Sequence, residues 1–191
     1  MPSEPTNMER PASRLVRAIA GLAASLILAS PGGASAWERL DHRGQPSVTL
    51  SPGYEQLIRP GRSGEKTSSS PGAYAELAYG LPGGDDGGEG LLGLRWGGGA
   101  GGESRLVAPF LAYRVYAGDE EWKTFFDLGA FARIQPVWAV GARLGAGVQY
   151  DFTQSFGVFF STGGAAGLGD GFQVGFDAGL GLQLRFGAPG Q

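Results

Sequence analysis

The chain has 191 residues, with 15 Lys and Arg against 18 Asp and Glu, a single His, no Cys and 36 Gly. A net charge of −3 offers no basic surface to neutralise nucleic-acid phosphates. Without Cys there is no disulfide scaffold, and one His leaves little from which to build a transition-metal centre.

Residues 1–36 read as an export signal. Arg10, Arg14 and Arg17 flank or precede an apolar run over 18–30, AIAGLAASLILAS, which is too short to span a bilayer as a helix. Ala34-Ser35-Ala36 then gives the small-x-small pattern of a peptidase site, so the mature chain is expected to begin at Trp37. The remainder divides into an N-terminal segment (37–45), one domain (46–186) and a tail (187–191).

Beyond residue 36 the hydrophobic period is 2 and never 3.6, which predicts strands and no helix. The first strand, 47–55, is the weakest, with Val48, Leu50 and Tyr54 on one face. Residues 73–81 alternate Ala75, Leu77, Tyr79 and Leu81 against Tyr74, Glu76, Ala78 and Gly80. Residues 91–97 alternate Leu92, Leu94 and Trp96 against Gly93, Arg95 and Gly97. Over 105–116, Val107, Leu111, Tyr113 and Val115 oppose Ala112 and Arg114, and Pro109 predicts an edge or a bulge. Over 123–134, Phe126, Leu128, Ala130, Ala132 and Ile134 oppose Lys123, Asp127, Gly129 and Arg133. Over 137–152, the apolar set from Trp138 to Phe152 opposes Gly141, Arg143, Gly145, Gly147, Gln149 and Asp151. Residues 156–162 form a shorter strand. The intervening stretches 58–72, 81–90, 97–104, 117–121, 134–136, 153–155 and 163–171 are Gly-rich or polar and read as connections.

The last strand, 172–186, says most. Phe172, Val174, Phe176, Ala178, Leu180, Leu182, Leu184 and Phe186 lie on one face. The other face is Gly and Gln with Asp177 and Arg185. A soluble sheet would expose Lys, Glu, Ser or Thr, whereas small residues with isolated charges suit a crowded interior. The apolar face then points into lipid. Phe176 and Phe186 would stand about 25 Å apart along the membrane normal, the separation of the two aromatic girdles of an outer-membrane barrel. A soluble exported barrel would instead turn its apolar face inward around a ligand and leave the Gly-rich face in water. Eight hairpin-linked strands predict an all-β fold, an eight-stranded antiparallel up-and-down transmembrane β-barrel preceded by a signal peptide.

GAGVQYDFTQSFGVFF (145–160) resembles the late strand, turn and strand of small outer-membrane barrels of the opacity-protein and OmpX-like class. DAGLGLQLRF (177–186) resembles their terminal strand, although here Gly-Ala-Pro-Gly-Gln follows Phe186. The resemblance implies residence in the cell outer membrane, both termini in the periplasm, and connections 58–72, 97–104, 134–136 and 163–171 outside. It also implies that the barrel-insertion machinery reads the last strand during assembly.

Catalysis is poorly supplied. His42 is the only His and precedes the first strand, so no strand offers a base to a Ser nucleophile, and the neighbouring Asp41–His42 pair has no fixed geometry. Asp85, Asp86 and Glu89 lack calcium-loop spacing and read as a solvated acidic turn. GGGAGG (97–102) matches a dinucleotide fingerprint only formally, because no helix follows. The inward charges Glu76, Arg95, Arg114, Asp127, Arg143, Asp177 and Arg185 are expected to form a polar network in the lumen. Trp96, Trp138, Tyr150, Phe152, Phe176 and Phe186 are expected to form lipid-facing girdles. Arg59, Arg62 and Lys66 on the first connection could meet lipopolysaccharide. The expected protein is a non-enzymatic, cofactor-free, monomeric barrel with a structural or surface-interaction role, its partners being outer-membrane lipid and lipopolysaccharide. The alternative is a narrow pore for water or small ions through the charged interior.

Overall fold

The computed structural model describes residues 44–61, 66–83, 88–99, 105–118, 121–135 and 137–187. The signal segment, Trp37, Asp41, His42, Arg62, Asp85 and Asp86 lie outside them. Eight strands follow in order: β1 Ser47–Arg59, β2 Ser68–Pro82, β3 Glu89–Gly99, β4 Arg105–Ala117, β5 Trp122–Arg133, β6 Ala139–Thr153, β7 Phe156–Gly169 and β8 Phe172–Arg185. Each pairs antiparallel with its sequence neighbours, and β8 pairs with β1, which closes the barrel. Closure leaves no sheet edge, so each strand has a neighbour on both sides.

The strands run 11–15 residues, well beyond the roughly 5–6 usual in globular proteins. The alternation is inverted relative to a soluble protein. Leu111, Leu128, Leu144 and Leu168 are 62–65% exposed on the outside. Inside, Ser47, Gln149 and Gln183 are fully buried, as are most of the charged residues. No helix among the described residues is long and apolar enough to cross a membrane, a test that does not bear on strands.

Two connections are much shorter than the sequence suggests. β1 and β2 continue to Arg59 and back from Ser68, so the connection read at 58–72 shrinks to 60–67. The stretch 163–171, read as a connection, is mostly strand: β7 runs to Gly169 and pairs with β6 and β8, leaving only Asp170 and Gly171 between β7 and β8. Alternation persists there with little hydropathy contrast, because apart from Leu168 both faces carry only Gly or Ala. The small inner residues make room. A Cβ at Gly163 would lie 2.8 Å from the Leu144 carbonyl oxygen, and one at Gly167 would lie 3.0 Å from the Phe131 ring.

Two prolines interrupt the ladders. Pro109 sits where β4 and β5 lose register: regular pairing stops at Phe110↔Phe131 and resumes one residue out of step at Val107↔Gln135. Pro52 sits on the closing seam. Between Leu50↔Leu182 and Gly53↔Gly179 the ladder has no pairs, because Pro52 has no N–H to give to Leu180. The Ser51 hydroxyl turns to that carbonyl instead and donates to it at 3.0 Å.

The barrel has two distinct ends. The terminal end carries the start of β1, the end of β8 and the connections 83–88, 118–121 and 154–155. The loop end carries 60–67, 100–104, 134–138 and 170–171. At the terminal end the seam is tied further by Phe186 N–H to the Pro46 carbonyl (3.0 Å) and by Gln45 Nε2 to the Gly187 carbonyl (3.0 Å).

Candidate functional site: the polar lumen

Inward parity brings charges from seven strands into the lumen, where burial without partners would cost several kcal/mol each (about 3–5 on losing one partner). The structure groups them in two tiers, and no hydrogen bond among the described residues joins one tier to the other.

The loop-end tier is organised by Arg95. Its guanidinium meets Glu76 (2.8 Å), Glu55 (3.1 Å) and Asp177 (3.3 Å), and lies 4.0 Å over the Tyr74 ring. Tyr74 also donates to Asp177 at 3.3 Å. Two further guanidiniums each hold one acid. Arg143 reaches Glu76 at 3.1 Å and stacks 4.2 Å over Phe110, and Arg133 pairs closely with Glu55. Beside them is a small, partly open recess lined by Glu55, Arg95, Arg133, Arg143 and Asp177 and by Ala108, Phe110, Phe131 and Ala165.

The terminal-end tier is tighter. Arg114 grips Asp127 with two parallel bonds of 2.7 and 2.8 Å, and lies 3.9 Å over Phe125, a ring that is fully buried. Asp151 accepts from Lys123 (2.9 Å), Arg185 (3.0 Å) and Gln149 (2.7 Å). Glu89 accepts from Ser47, from Tyr116 (2.9 Å) and from Gln183 (3.1 Å). Gln183 is the hub. Its carbonyl takes Arg185 at 2.6 Å and Gln149 at 2.9 Å, while its amide turns to Glu89 and Ser47. Between the tiers, Ala78, Leu91, Phe110 and Ala112 form an apolar patch.

The structure therefore places Glu76, Arg95, Arg143 and Asp177 in the loop-end tier and Arg114, Asp127 and Arg185 in the terminal-end tier. Sequence reasoning left Glu55, Lys123, Arg133 and Asp151 out of the network. The last three already fell on the inward face. Glu55 does so as well, once Leu50 and Tyr54 are set outward on β1. Glu89 is a correction: read as part of a solvated turn, it begins β3 and is 5% exposed inside the barrel. Its Gly neighbours concealed the strand start, and its partners lie on other strands.

On the outside, Trp96, Trp138, Phe176 and Phe186 are 41–56% exposed, and Tyr150 and Phe152 are half-buried. Trp122, Tyr150, Phe152 and Phe156 form a continuous run of ring contacts at 4.9, 4.9 and 5.6 Å beside the terminal-end turns. Tyr54, Trp96 and Phe176 occupy the loop-end half of the surface. Of the basic residues expected on the first connection, Arg59 ends β1 half-buried and Lys66 is exposed. The described residues contain no His or Cys, and no group of three or more His, Cys, Asp or Glu among them could hold a metal ion.

An inside-out, closed, eight-stranded antiparallel barrel defines the class: this is the fold of the small outer-membrane β-barrels. Among solved structures it is similar to Ail, the attachment invasion locus protein of Yersinia pestis, at 16% identity and a TM-score of 0.50, covering 75% of this chain and 99% of that one. It is also similar to the N-terminal barrel domain of Pseudomonas aeruginosa OprF (18% identity, TM-score 0.48, covering 75% and 100%). A third is Neisserial surface protein A (9% identity, TM-score 0.47, covering 74% and 97%). At these identities the likeness carries the fold alone. No protein-family profile and no curated protein sequence matches the chain.

Proposed function

We propose that the chain is exported, cleaved after Ala36, and inserted in the cell outer membrane as a monomeric, non-enzymatic barrel with a structural or surface-interaction role. The observation that carries this reading is the pairing of an apolar exterior with an ion-paired interior. The exposed Leu, Phe and Trp side chains would be a liability in water, whereas in hydrocarbon they are the favourable face. The insertion machinery would take up the chain by β8, whose outward face from Phe172 to Phe186 is apolar without a break. Lipid would pack between the two aromatic bands, and Lys66 with Arg59 and Arg62 would meet lipopolysaccharide phosphates at the loop end.

A closed barrel with both tiers paired should unfold slowly in detergent. The expected result is a protein that stays with the outer-membrane fraction through alkali and salt washes, begins at Trp37, and migrates differently on gels before and after boiling. Extraction by alkali, or identical migration, would refute the reading. A pore through the lumen is less well supported, because Phe125, Gln149 and Gln183 are fully buried across the terminal-end tier.

A further inference from the structure

The parity that sends charge into the lumen has one exception. Every other charged residue of the eight strands falls on an inward position, but Arg105, the first residue of β4, falls on an outward one. The register places it there: Arg105 opposes Gly98, and the next outward pair towards the barrel centre is Trp96↔Val107. Its neighbour Leu106 is 8% exposed in the lumen, while Arg105 itself is exposed. Its side chain makes no ion pair among the described residues.

A lipid-facing wall excludes charge because hydrocarbon does not solvate it. Depth therefore decides what Arg105 meets. It stands one outward pair beyond Trp96, about 5 Å further along the membrane normal at ordinary strand rise and barrel tilt. Interfacial Trp sits at headgroup level, so the guanidinium reaches the layer of lipid phosphates. Gly98, opposite, has no side chain to cover it on the β3 side.

The wall beneath Arg105 is low. Val107 and Pro109 on β4 and Ala132 on β5 are half-buried. Around them Trp96, Leu111, Ile134 and Trp138 are 41–62% exposed. The low strip lies where β4 and β5 lose register, and it is bounded by Trp96 on β3 and by Trp138 just before β6.

We propose that this strip docks one anionic phospholipid of the surrounding membrane, with the phosphate on Arg105 and an acyl chain over Val107, Pro109 and Ala132. The proposal rests on the reading of the chain as a membrane-inserted barrel. Charge selects the headgroup: a cation with no carboxylate of its own favours a net-negative lipid over a zwitterionic one. The parallel N–H donors of a guanidinium also match phosphate oxygens. The site is separate from Lys66, which lies on the connection between β1 and β2.

The test titrates the full barrel, in a non-ionic maltoside detergent, with phosphatidylglycerol or phosphatidylcholine and counts the first bound lipid by native mass spectrometry. Phosphatidylglycerol should bind roughly fivefold more tightly, the factor for one cation near a lipid surface. Arg105→Gln should erase that preference, Arg105→Lys should retain most of it, and Lys66→Gln should leave it unchanged. Ala132→Phe, which raises the floor of the strip, should weaken the binding of both lipids. Heat-modified gel migration of each sample separates two failures. A formed barrel with no lipid preference overturns this site alone, whereas a chain that forms no barrel overturns the membrane reading and the site with it. Equal losses in Arg105→Gln and Lys66→Gln would mean diffuse attraction to the loop end. Unchanged binding in Ala132→Phe would place the acyl chain elsewhere, and displacement by millimolar sodium phosphate would mean an anion site open to solution. Each of these three results overturns the proposal.

Discussion

The two tiers of the lumen use the same residue types and reach different ends. In the terminal-end tier, Arg114 and Asp127 form a closed bidentate pair, and Asp151 is wholly buried among Lys123, Arg185 and Gln149. Aromatic rings fill what remains, with Phe125 edge-on to Tyr116 and Phe159 at 6.2 and 5.8 Å. In the loop-end tier, Arg95 is shared among three acids and a recess remains beside it. A buried charge is stabilised only as well as its last unsatisfied group allows. Closed pairs and packed rings thus fill one end of the barrel, while ion pairs shared around Arg95 leave a small recess at the other.

The largest effect that tests this contrast should come from Arg114→Met. It strands Asp127 in a dry site and should cost about 3–5 kcal/mol. Arg143→Met leaves Glu76 still held by Arg95, beside a recess that can admit water, and should cost only about 1 kcal/mol. Urea unfolding of the lipid-embedded barrel measures both. Equal losses would mean that the tiers are equally dry and that the contrast is false.

A second pair of substitutions tests the inside–outside contrast on which the tiers depend. Leu182 and Gln183 are neighbours in the terminal-end third of β8, the first 45% exposed on the outer face and the second fully buried in the lumen. Leu182→Arg places a charge on the lipid face towards the terminal-end interface and should cost roughly 1–2 kcal/mol, less than at the bilayer midplane. Gln183→Arg is a different perturbation, crowding the Arg185 and Gln149 contacts. A spin label at each site decides between the two faces. A lipid-soluble relaxant should reach position 182 and spare position 183; the reverse would turn the barrel inside out.

How much of this was legible in the sequence depended on contrast between faces. β6 and β8 carry large apolar residues against Gly and charge, so their parity reads directly. Over Gly163–Gly169 both faces are small apart from Leu168, and a strand there looks like a turn until Phe131 and Asp177 are seen to need the space. Parity also shows that a charge points inward, but not which charge it meets. Arg95 meets Glu76 through the register of adjacent strands, yet Glu55 and Asp177 reach it across the lumen, a meeting set by barrel closure and strand tilt. Glu89 was obscured for a related reason: Gly flanks it in sequence, and Ser47, Tyr116 and Gln183 come from three other strands.

The smallest effect concerns the closing seam, where local chemistry repairs what a proline removes. Pro52 lacks the amide that would donate to Leu180, and the Ser51 hydroxyl takes its place at 3.0 Å. Ser51 is 5% exposed, so the carbonyl has little recourse to water once that hydroxyl is gone. Ser51→Ala should therefore cost about 1 kcal/mol, the low end for an unsatisfied buried acceptor, because the ladder resumes at Gly53↔Gly179 and limits the damage. Pro52→Ala restores an N–H at the position the ladder needs. In that background Ser51→Ala should be nearly neutral, since Leu180 then has a backbone donor. The coupling between the two substitutions, read from unfolding midpoints in a double-mutant cycle, should be about 1 kcal/mol. Additive losses would mean that Ser51 serves the seam in some other way, and that the gap in the ladder is not a missing donor that the hydroxyl supplies.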